Sequence, residues 1–384
     1  MLVARGFAQS DPPQNYYTPA MGTTGVALKA TLHNIIKNHT VLPYTSTSTD
    51  TWDAVKMLDE DPADSASVIL IYSGLTNLKS NQYASGVGAG KWDREHLFPQ
   101  SFGIVAVSAS SRAKTDVFNL RPIDYTVNST RNNLFYDTTT TPFHTMAGAP
   151  GASYDSDSWE PRDDDKGVVA RAAFYMATRY DGTDADVPDL ELSDTPDAAT
   201  YHFGKLSTLL AWNRQHPPTD AERHRNQLIY DNLQHNRNPF IDHPEFADIV
   251  FTSATPLLAW KSLRFTTSEL SNPAISSDEA NPDGDGEKNL LEFFFNRSPK
   301  VAESTPALIA TAAADGSVLL TYPHNRFASG VTVTFETSPD LAAWSATSPA
   351  SASATTMSFD TEQITARLSR TTTPFYVRMR VTVP

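Results

Sequence analysis

The chain contains no cysteine. This absence excludes disulfides, thiolate zinc sites and a cysteine nucleophile. It does not select a cellular compartment, because a protein without thiols can work in oxidising and in reducing surroundings. Long apolar runs are absent as well. The longest strongly apolar stretch, residues 68–72, has the length of a strand and is far shorter than the roughly 20 residues that span a bilayer.

Positive charge is scarce. Lysine and arginine number 30 against 44 acidic residues, which gives a formal net charge of −14. Taken globally, this balance argues against a nucleic-acid partner, since phosphate binding requires cations. However, the acidic residues concentrate between Asp155 and Asp197, whereas basic residues outnumber acidic ones between Lys91 and Arg131. A cleft can be locally positive on an acidic protein, so the sequence allows a small anion-binding cleft in that region.

The N-terminal residues contain no long apolar segment, so no intact signal peptide is present. Residues 6–10 would suit the mature edge of a cleavage site whose upstream part is missing. We therefore expect a secreted, periplasmic or cell-surface protein.

The 384 residues suffice for two or three domains, and the pattern predicts an α+β protein. Apolar residues at helical spacing and capping signals predict a mainly helical domain over residues 19–252, after a disordered lead-in over residues 1–18. Ser, Thr and Pro predict a linker over residues 253–300. Alternation of apolar and polar residues predicts a small β-sandwich-like module over residues 301–384. Within the helical domain the predicted helices are 20–38, 50–58, 168–180, 206–215 and 220–234, with a buried strand at 67–72 and a turn followed by a short helix over 118–133.

Glu95 and His96 bring a carboxylate next to an imidazole. Adjacent side chains of a strand point to opposite faces, but they can serve one site where the strand ends, and Pro99 indicates such an end. A neutral histidine can take a proton from an attacking water, and Glu and Asn oxygens suit Mg²⁺. With Asn128 downstream, these residues fit phosphodiester hydrolysis. Taken alone, a Glu-His pair is usually a surface feature, and Arg131 could equally brace an acidic neighbour or contact phosphate.

These residues lie in segments that resemble the bacterial endonuclease I family. The resemblance covers residues 25 to 250 and rests on WDREHLFPQSFG (92–103), NLRP (119–122), VNSTRNN (127–133), WEPR (159–162) and NRNPFIDHPE (236–245). It implies a ββα-metal (His-Me) finger in an endonuclease that cuts DNA, RNA or both and leaves 5′-phosphate ends. His96 would be the general base, Glu95 and Asn128 would bind Mg²⁺ (or Mn²⁺ or Ca²⁺), and Arg112 would hold the scissile phosphate. We further assign Arg94 and Arg131 to substrate binding.

Two departures from the family pattern touch none of the three central residues: Asp93 stands where Asn is common, and Phe118 precedes Asn119 where many members have His. An alternative function is that of a catalytically inactive, calcium-stabilised surface or binding protein. The intact Glu95, His96 and Asn128 speak against that alternative.

Residues 281–292 (NPDGDGEKNLLE) fit the twelve-position calcium loop, in which oxygen ligands recur at fixed positions and a glycine makes the sharp turn. The pattern predicts a structural Ca²⁺ site; the other interpretation is a polar linker without an ion. The C-terminal module could anchor the protein to a cell surface or matrix. The predicted calcium ligands are Asn281, Asp283, Asp285, Glu287 (through its backbone carbonyl), Asn289 and Glu292.

Overall fold

The chain folds into two compact units in the computed structural model. The structure describes residues 11–104, 112–185, 188–371 and 373–383. The first unit comprises Lys29–Asp248 with the residues up to Pro12, and the second comprises Pro13–Leu28 with Ile249–Pro384. The predicted lead-in falls outside the described residues as far as residue 10, and Tyr17 within the rest of it is buried. In the described part of the chain, we find no helix whose length and apolarity would carry it through a bilayer.

The described residues form both helices and strands, so the structure is mixed α and β. The helices are α1 Gly25–Ile36, α2 Thr51–Leu58, α3 Arg112–Thr115, α4 Tyr125–Arg131, α5 Asp163–Arg179, α6 Leu206–Gln215, α7 Asp220–Asn232, α8 Pro239–Asp242, α9 Phe246–Thr252, α10 Pro256–Arg264, α11 Thr267–Leu270, α12 Pro273–Ser276 and α13 Asn289–Phe295. The strands are β1 Glu60–Asp61, β2 Asp64–Ile69, β3 Thr76–Leu78, β4 Trp92–His96, β5 Leu120–Asp124, β6 Phe135–Tyr136, β7 His144–Met146, β8 Ala149–Tyr154, β9 Ser158–Glu160, β10 Glu191–Leu192, β11 His202–Phe203, β12 Ile309–Ala312, β13 Val318–Asn325, β14 Thr332–Ser338, β15 Ser345–Thr347, β16 Ser351–Thr356, β17 Thr361–Leu368 and β18 Tyr376–Thr382.

Capping side chains set the starts of the helices around the site. Asp50 begins α2 by accepting hydrogen bonds from the backbone N–H groups of Trp52 and Asp53. Helix α5 begins five residues before the predicted start, because three aspartates occupy its first turn, where the helix dipole favours negative charge. From Val169 to Arg179 every residue is buried, so the helix is covered on all sides and not only on its apolar face.

Strands β4 and β5 form an antiparallel pair, and α4 follows β5 without a gap. The register places Glu95 opposite Arg121 and His96 opposite Leu120. Asp124 ends β5 and caps α4, because its side chain accepts hydrogen bonds from the backbone N–H groups of Thr126 and Val127. This strand–strand–helix arrangement is anchored by a small apolar cluster that contains Trp92 and Leu120. The end of β4 and one face of α4 therefore lie next to each other, and Arg131 of α4 contacts Glu95 of β4.

The second unit contains two antiparallel sheets, ordered β12-β13-β17-β16 and β15-β14-β18. Both sheets contribute to one apolar core together with α10 and α13. Residues 253–300, predicted as a linker, instead carry helices α10 to α13. The short apolar pieces between Ser, Thr and Pro are helical turns: Thr255 and Thr266 cap α10 and α11, and Trp260 and Phe293 reach the core.

Candidate active site

Glu95 lies at the end of β4 and is 2% exposed. Its Oε1 accepts a hydrogen bond from the Tyr72 hydroxyl at 2.9 Å and lies 3.2 Å from Arg131 Nε. The Tyr72 hydroxyl is in turn 2.6 Å from that of Tyr136. Burial raises the pKa of Glu95, while Arg131 and Tyr72 act against that rise. Among the described residues, no hydrogen bond reaches Oε2 of Glu95, so one oxygen is held in place and the other is available to a ligand.

His96 is held in a defined tautomer. Its Nε2 lies 2.9 Å from the carbonyl oxygen of Lys114. Because a carbonyl can only accept, Nε2 carries the proton and Nδ1 is the basic nitrogen. Nδ1 accepts a hydrogen bond from the Gln100 side-chain amide at 3.2 Å. Burial lowers the pKa of His96 to about 4, so the ring is neutral at pH 7.

Helix α4 carries Asn128 and Arg131 on one face, since residues three apart on a helix are neighbours. Arg131 is fully buried; it makes the ion pair with Glu95 and donates hydrogen bonds to the carbonyls of Leu97, at 2.9 Å, and Asn132, at 3.0 Å. Of the two roles left open for Arg131, this packing favours bracing an acidic neighbour. Asn128 is half-buried, and its side chain makes no hydrogen bond to any residue that the structure describes. Its amide is therefore free to bind a ligand about one helical turn from Arg131, the residue that pairs with Glu95.

Arg94 points away from Glu95, as expected for its neighbour on a strand. Its guanidinium lies 3.6 Å from the ring centroid of Tyr44 and 3.9 Å from that of Trp52, and it donates to the hydroxyl of Thr51 at 2.7 Å and to the carbonyl of Tyr44. Tyr44 also stacks on His96, with 5.9 Å between centroids. This packing favours a structural role for Arg94: it holds Tyr44 in place, and Tyr44 supports the imidazole of His96.

Two cations nevertheless lie on α3, the helix whose Lys114 carbonyl orients His96. Arg112 is exposed at the start of α3, two residues before the carbonyl that orients His96. Lys114 is half-buried, with Nζ 4.5 Å from the Tyr44 ring centroid. Tyr44 and Arg94 also line a cleft of about 520 Å³. The sequence analysis assigned Arg112 to the phosphate and did not single out Lys114, Tyr72 or Gln100. Of these last three, only Gln100 lies within the motif around His96.

In the second unit, the predicted calcium segment brings acidic side chains together. Oxygens of Asp283, Asp285, Glu292 and Glu303 lie within 4.8 Å of one another. Burial and the neighbouring carboxylates raise the pKa of Glu292 to about 8. Glu303 lies outside the twelve-residue pattern, so the sequence had no signal for it.

The other three predicted ligands form local bonds. Asn281 accepts from the N–H of Gly284, Glu287 pairs with Arg297, and the Asn289 amide nitrogen donates to backbone carbonyls. These bonds hold the loop, and for Glu287 they involve the side chain and not the backbone carbonyl that was predicted as the ligand.

Comparison with known proteins supports the chemistry that these groups suggest. The model of the endonuclease I family matches residues 24–245, more than half of the chain. The chain is 48% identical over 249 residues to an extracellular ribonuclease of Bacillus subtilis (strain 168), covering 65% of this chain and 81% of the relative. It is 47% identical over 239 residues to an extracellular ribonuclease of Bacillus amyloliquefaciens, covering 62% and 78%. Endonuclease-1 of Buchnera aphidicola is 29% identical over 140 residues, covering 34% and 47%. The chain therefore belongs to the endonuclease I family and is an endonuclease that hydrolyses nucleic acid.

Proposed function

We propose that this protein is a secreted, metal-dependent endonuclease that cuts RNA and DNA without base specificity and leaves 5′-phosphate ends. The observation that carries the proposal is the neutral His96, whose Nε2 is tied to the Lys114 carbonyl and whose Nδ1 is left as a base, next to the buried Glu95. The two Bacillus relatives named extracellular ribonucleases support both RNA as a substrate and secretion. A nuclease that contacts only the backbone need not read bases.

Glu95 and Asn128 would hold the metal, and their surroundings fit this role. Within the described residues, Glu95 Oε2 and the Asn128 amide have no hydrogen-bond partner, and both offer the hard oxygen that Mg²⁺ prefers. When bound, the metal would stabilise negative charge on the phosphate and on the leaving oxygen. Tyr72 and Arg131 are positioning residues, because they fix the other oxygen of Glu95.

The remaining groups act on the proton and on the phosphate. His96 Nδ1 accepts the proton of the attacking water, and the Lys114 carbonyl stabilises the ring as it becomes charged. Gln100 has to release Nδ1, which its amide contacts at 3.2 Å, before a water can approach. Arg112 and Lys114 supply positive charge for the scissile phosphate; Arg112 is the exposed cation of the two.

Digestion of supercoiled plasmid and of structured RNA, in parallel and with Mg²⁺ or EDTA, tests the proposal. We expect wild-type protein to cut both in Mg²⁺ and neither in EDTA. His96→Ala should lose about 10²–10⁴-fold in rate, the usual contribution of a general base. His144→Ala is the matched control, since His144 is an exposed histidine in the same unit. If plasmid and RNA both stay intact in every divalent metal, the enzyme proposal fails and the alternative of an inactive surface protein gains support.

Nothing in the family match reaches the C-terminal module, because that match ends at residue 245. Anchoring by this module stays a prediction.

A further inference from the structure

Four carboxylates of the second unit meet from three successive stretches of chain. Asp283 and Asp285 belong to the loop before α13, Glu292 lies on α13, and Glu303 follows that helix. One oxygen of each lies within 4.8 Å of the others. Like charges this close repel strongly away from bulk water, so the arrangement is stabilised when the carboxylates take up a proton or hold a cation between them.

Glu292 is the informative member because it is completely buried. In the described part of the chain, neither of its carboxylate oxygens has a hydrogen-bond partner, and the same holds for Oδ2 of Asp283 and Oε2 of Glu303. A buried carboxylate without hydrogen bonds costs far more free energy than a solvated one. By contrast, the nearby Glu287 Oε1 is paired with Arg297 at 2.9 Å and with the N–H of Ala307 at 2.8 Å. Cationic and N–H partners are thus available locally, but they serve Glu287 and not Glu292.

We propose that Asp283, Asp285, Glu292 and Glu303 bind one structural Ca²⁺ ion, with Glu303 completing the site from outside the twelve-residue loop. Ca²⁺ takes six to eight oxygen ligands at about 2.3–2.6 Å, so two ligands on opposite sides of the ion lie about 4.6–5.2 Å apart. The observed oxygens all lie within 4.8 Å of one another, close enough for one Ca²⁺ ion to bridge them. Mg²⁺ usually keeps several waters and binds through one or two carboxylates, so a cluster of four carboxylates suits Ca²⁺ better. Asn289 offers a further oxygen, since its Oδ1 is buried and has no partner among the described residues.

The ion would join the loop and α13 to the chain that enters the sheets. Asp285 accepts a hydrogen bond from the N–H of Glu303 at 3.2 Å, which already draws these segments together. Phe293 and Phe294, next to Glu292 on α13, are buried in the apolar core of this unit. Without the ion, the negative charges around Glu292 would not be balanced. Their repulsion would destabilise α13, the helix whose phenylalanines pack in the core. We expect the stability of the second unit to depend on Ca²⁺, independently of cleavage.

Isothermal titration of the full-length, EDTA-stripped protein with CaCl₂ in excess Mg²⁺ tests this inference, with differential scanning calorimetry in parallel. Wild type should bind one Ca²⁺ that raises the melting temperature of one transition. Glu303→Gln and Glu292→Gln should each weaken Ca²⁺ binding about tenfold or more, because each removes a charged ligand. Glu279→Gln is the matched control: Glu279 is an exposed carboxylate of the same region, paired with Lys288, and its variant should bind as wild type does.

Two results would overturn the proposal: no Ca²⁺ binding by wild type, or equal affinity in Glu303→Gln and wild type. Because Glu303 is only partly buried, the Glu303→Gln variant stays informative even if Glu292→Gln folds poorly. Cleavage is measured on the same samples and should be unchanged in Glu303→Gln. Loss of cleavage in His96→Ala with normal Ca²⁺ binding would keep the two proposals separate.

Discussion

Replacing Arg131 by Met tests whether this arginine braces Glu95. Arg131 is completely buried and Glu95 is 2% exposed, and their ion pair of 3.2 Å has little contact with solvent. Breaking such a pair on one side costs about 3–5 kcal/mol, because a charge is left buried without compensation. The hydrogen bonds to the carbonyls of Leu97 and Asn132 are lost as well. We expect Arg131→Met to lower the free energy of unfolding of the first unit by that amount.

A double-mutant cycle with Glu95→Gln isolates the pair. The Gln amide oxygen can still accept from Tyr72, so the single Glu95→Gln variant should be the milder one. In the double variant no charge remains buried, so its destabilisation should fall short of the sum of the two by about 1–3 kcal/mol. Urea denaturation of the full chain, followed through the transition of the first unit, gives the free energy of unfolding of wild type, both single variants and the double variant. Additivity, or a cost of Arg131→Met below about 1 kcal/mol, would refute bracing. Impaired cleavage with unchanged stability would instead assign Arg131 to the substrate.

Three further predictions concern the same unit. The pH profile of kcat/KM should keep its acidic limb far below pH 6. Burial lowers the pKa of His96 to about 4, so its basic form persists above that value. A limb centred near 6.5, the ordinary histidine value, would contradict the buried site. Tyr72→Phe removes the 2.9 Å hydrogen bond to the Glu95 carboxylate, so we expect a loss of about 1.5–3 kcal/mol in urea denaturation and a higher Mg²⁺ requirement for cleavage; an unchanged Mg²⁺ requirement would show that Tyr72 does not position Glu95. Gly167→Ala should destabilise the unit by about 1–3 kcal/mol, because the new Cβ would lie 2.2 Å from the backbone oxygen of His216. This cost outweighs the roughly 1 kcal/mol by which alanine favours helices over glycine. A higher melting temperature of the variant would mean that the neighbouring chain moves aside easily.

The sequence by itself determined the local elements, and it predicted the central site residues. Helix α6 has the predicted bounds, and α2 and α7 differ from prediction by one or two residues at an end, since each has a capping signal or apolar spacing that needs no tertiary contact. Glu95, His96 and Asn128 were predicted from an ordered set of motifs and lie on β4 and α4 as expected of a strand and a following helix. Their roles as base and metal ligands stay predictions.

Tertiary structure decided what surrounds those residues. Tyr72 is 23 positions from Glu95, and the group that fixes the His96 tautomer is a backbone carbonyl, which every residue type has and which leaves no trace in the sequence. The arginines of the segment looked available to phosphate, but folding buried Arg94 and Arg131, and only packing determines which cations reach solvent. In the calcium segment the loop pattern predicted Asp283, Asp285 and Glu292, while Glu303 joined them only because the chain after α13 turns back to the loop. Short-range patterns therefore define which groups this protein can use, and long-range contacts define their charge, tautomer and partners.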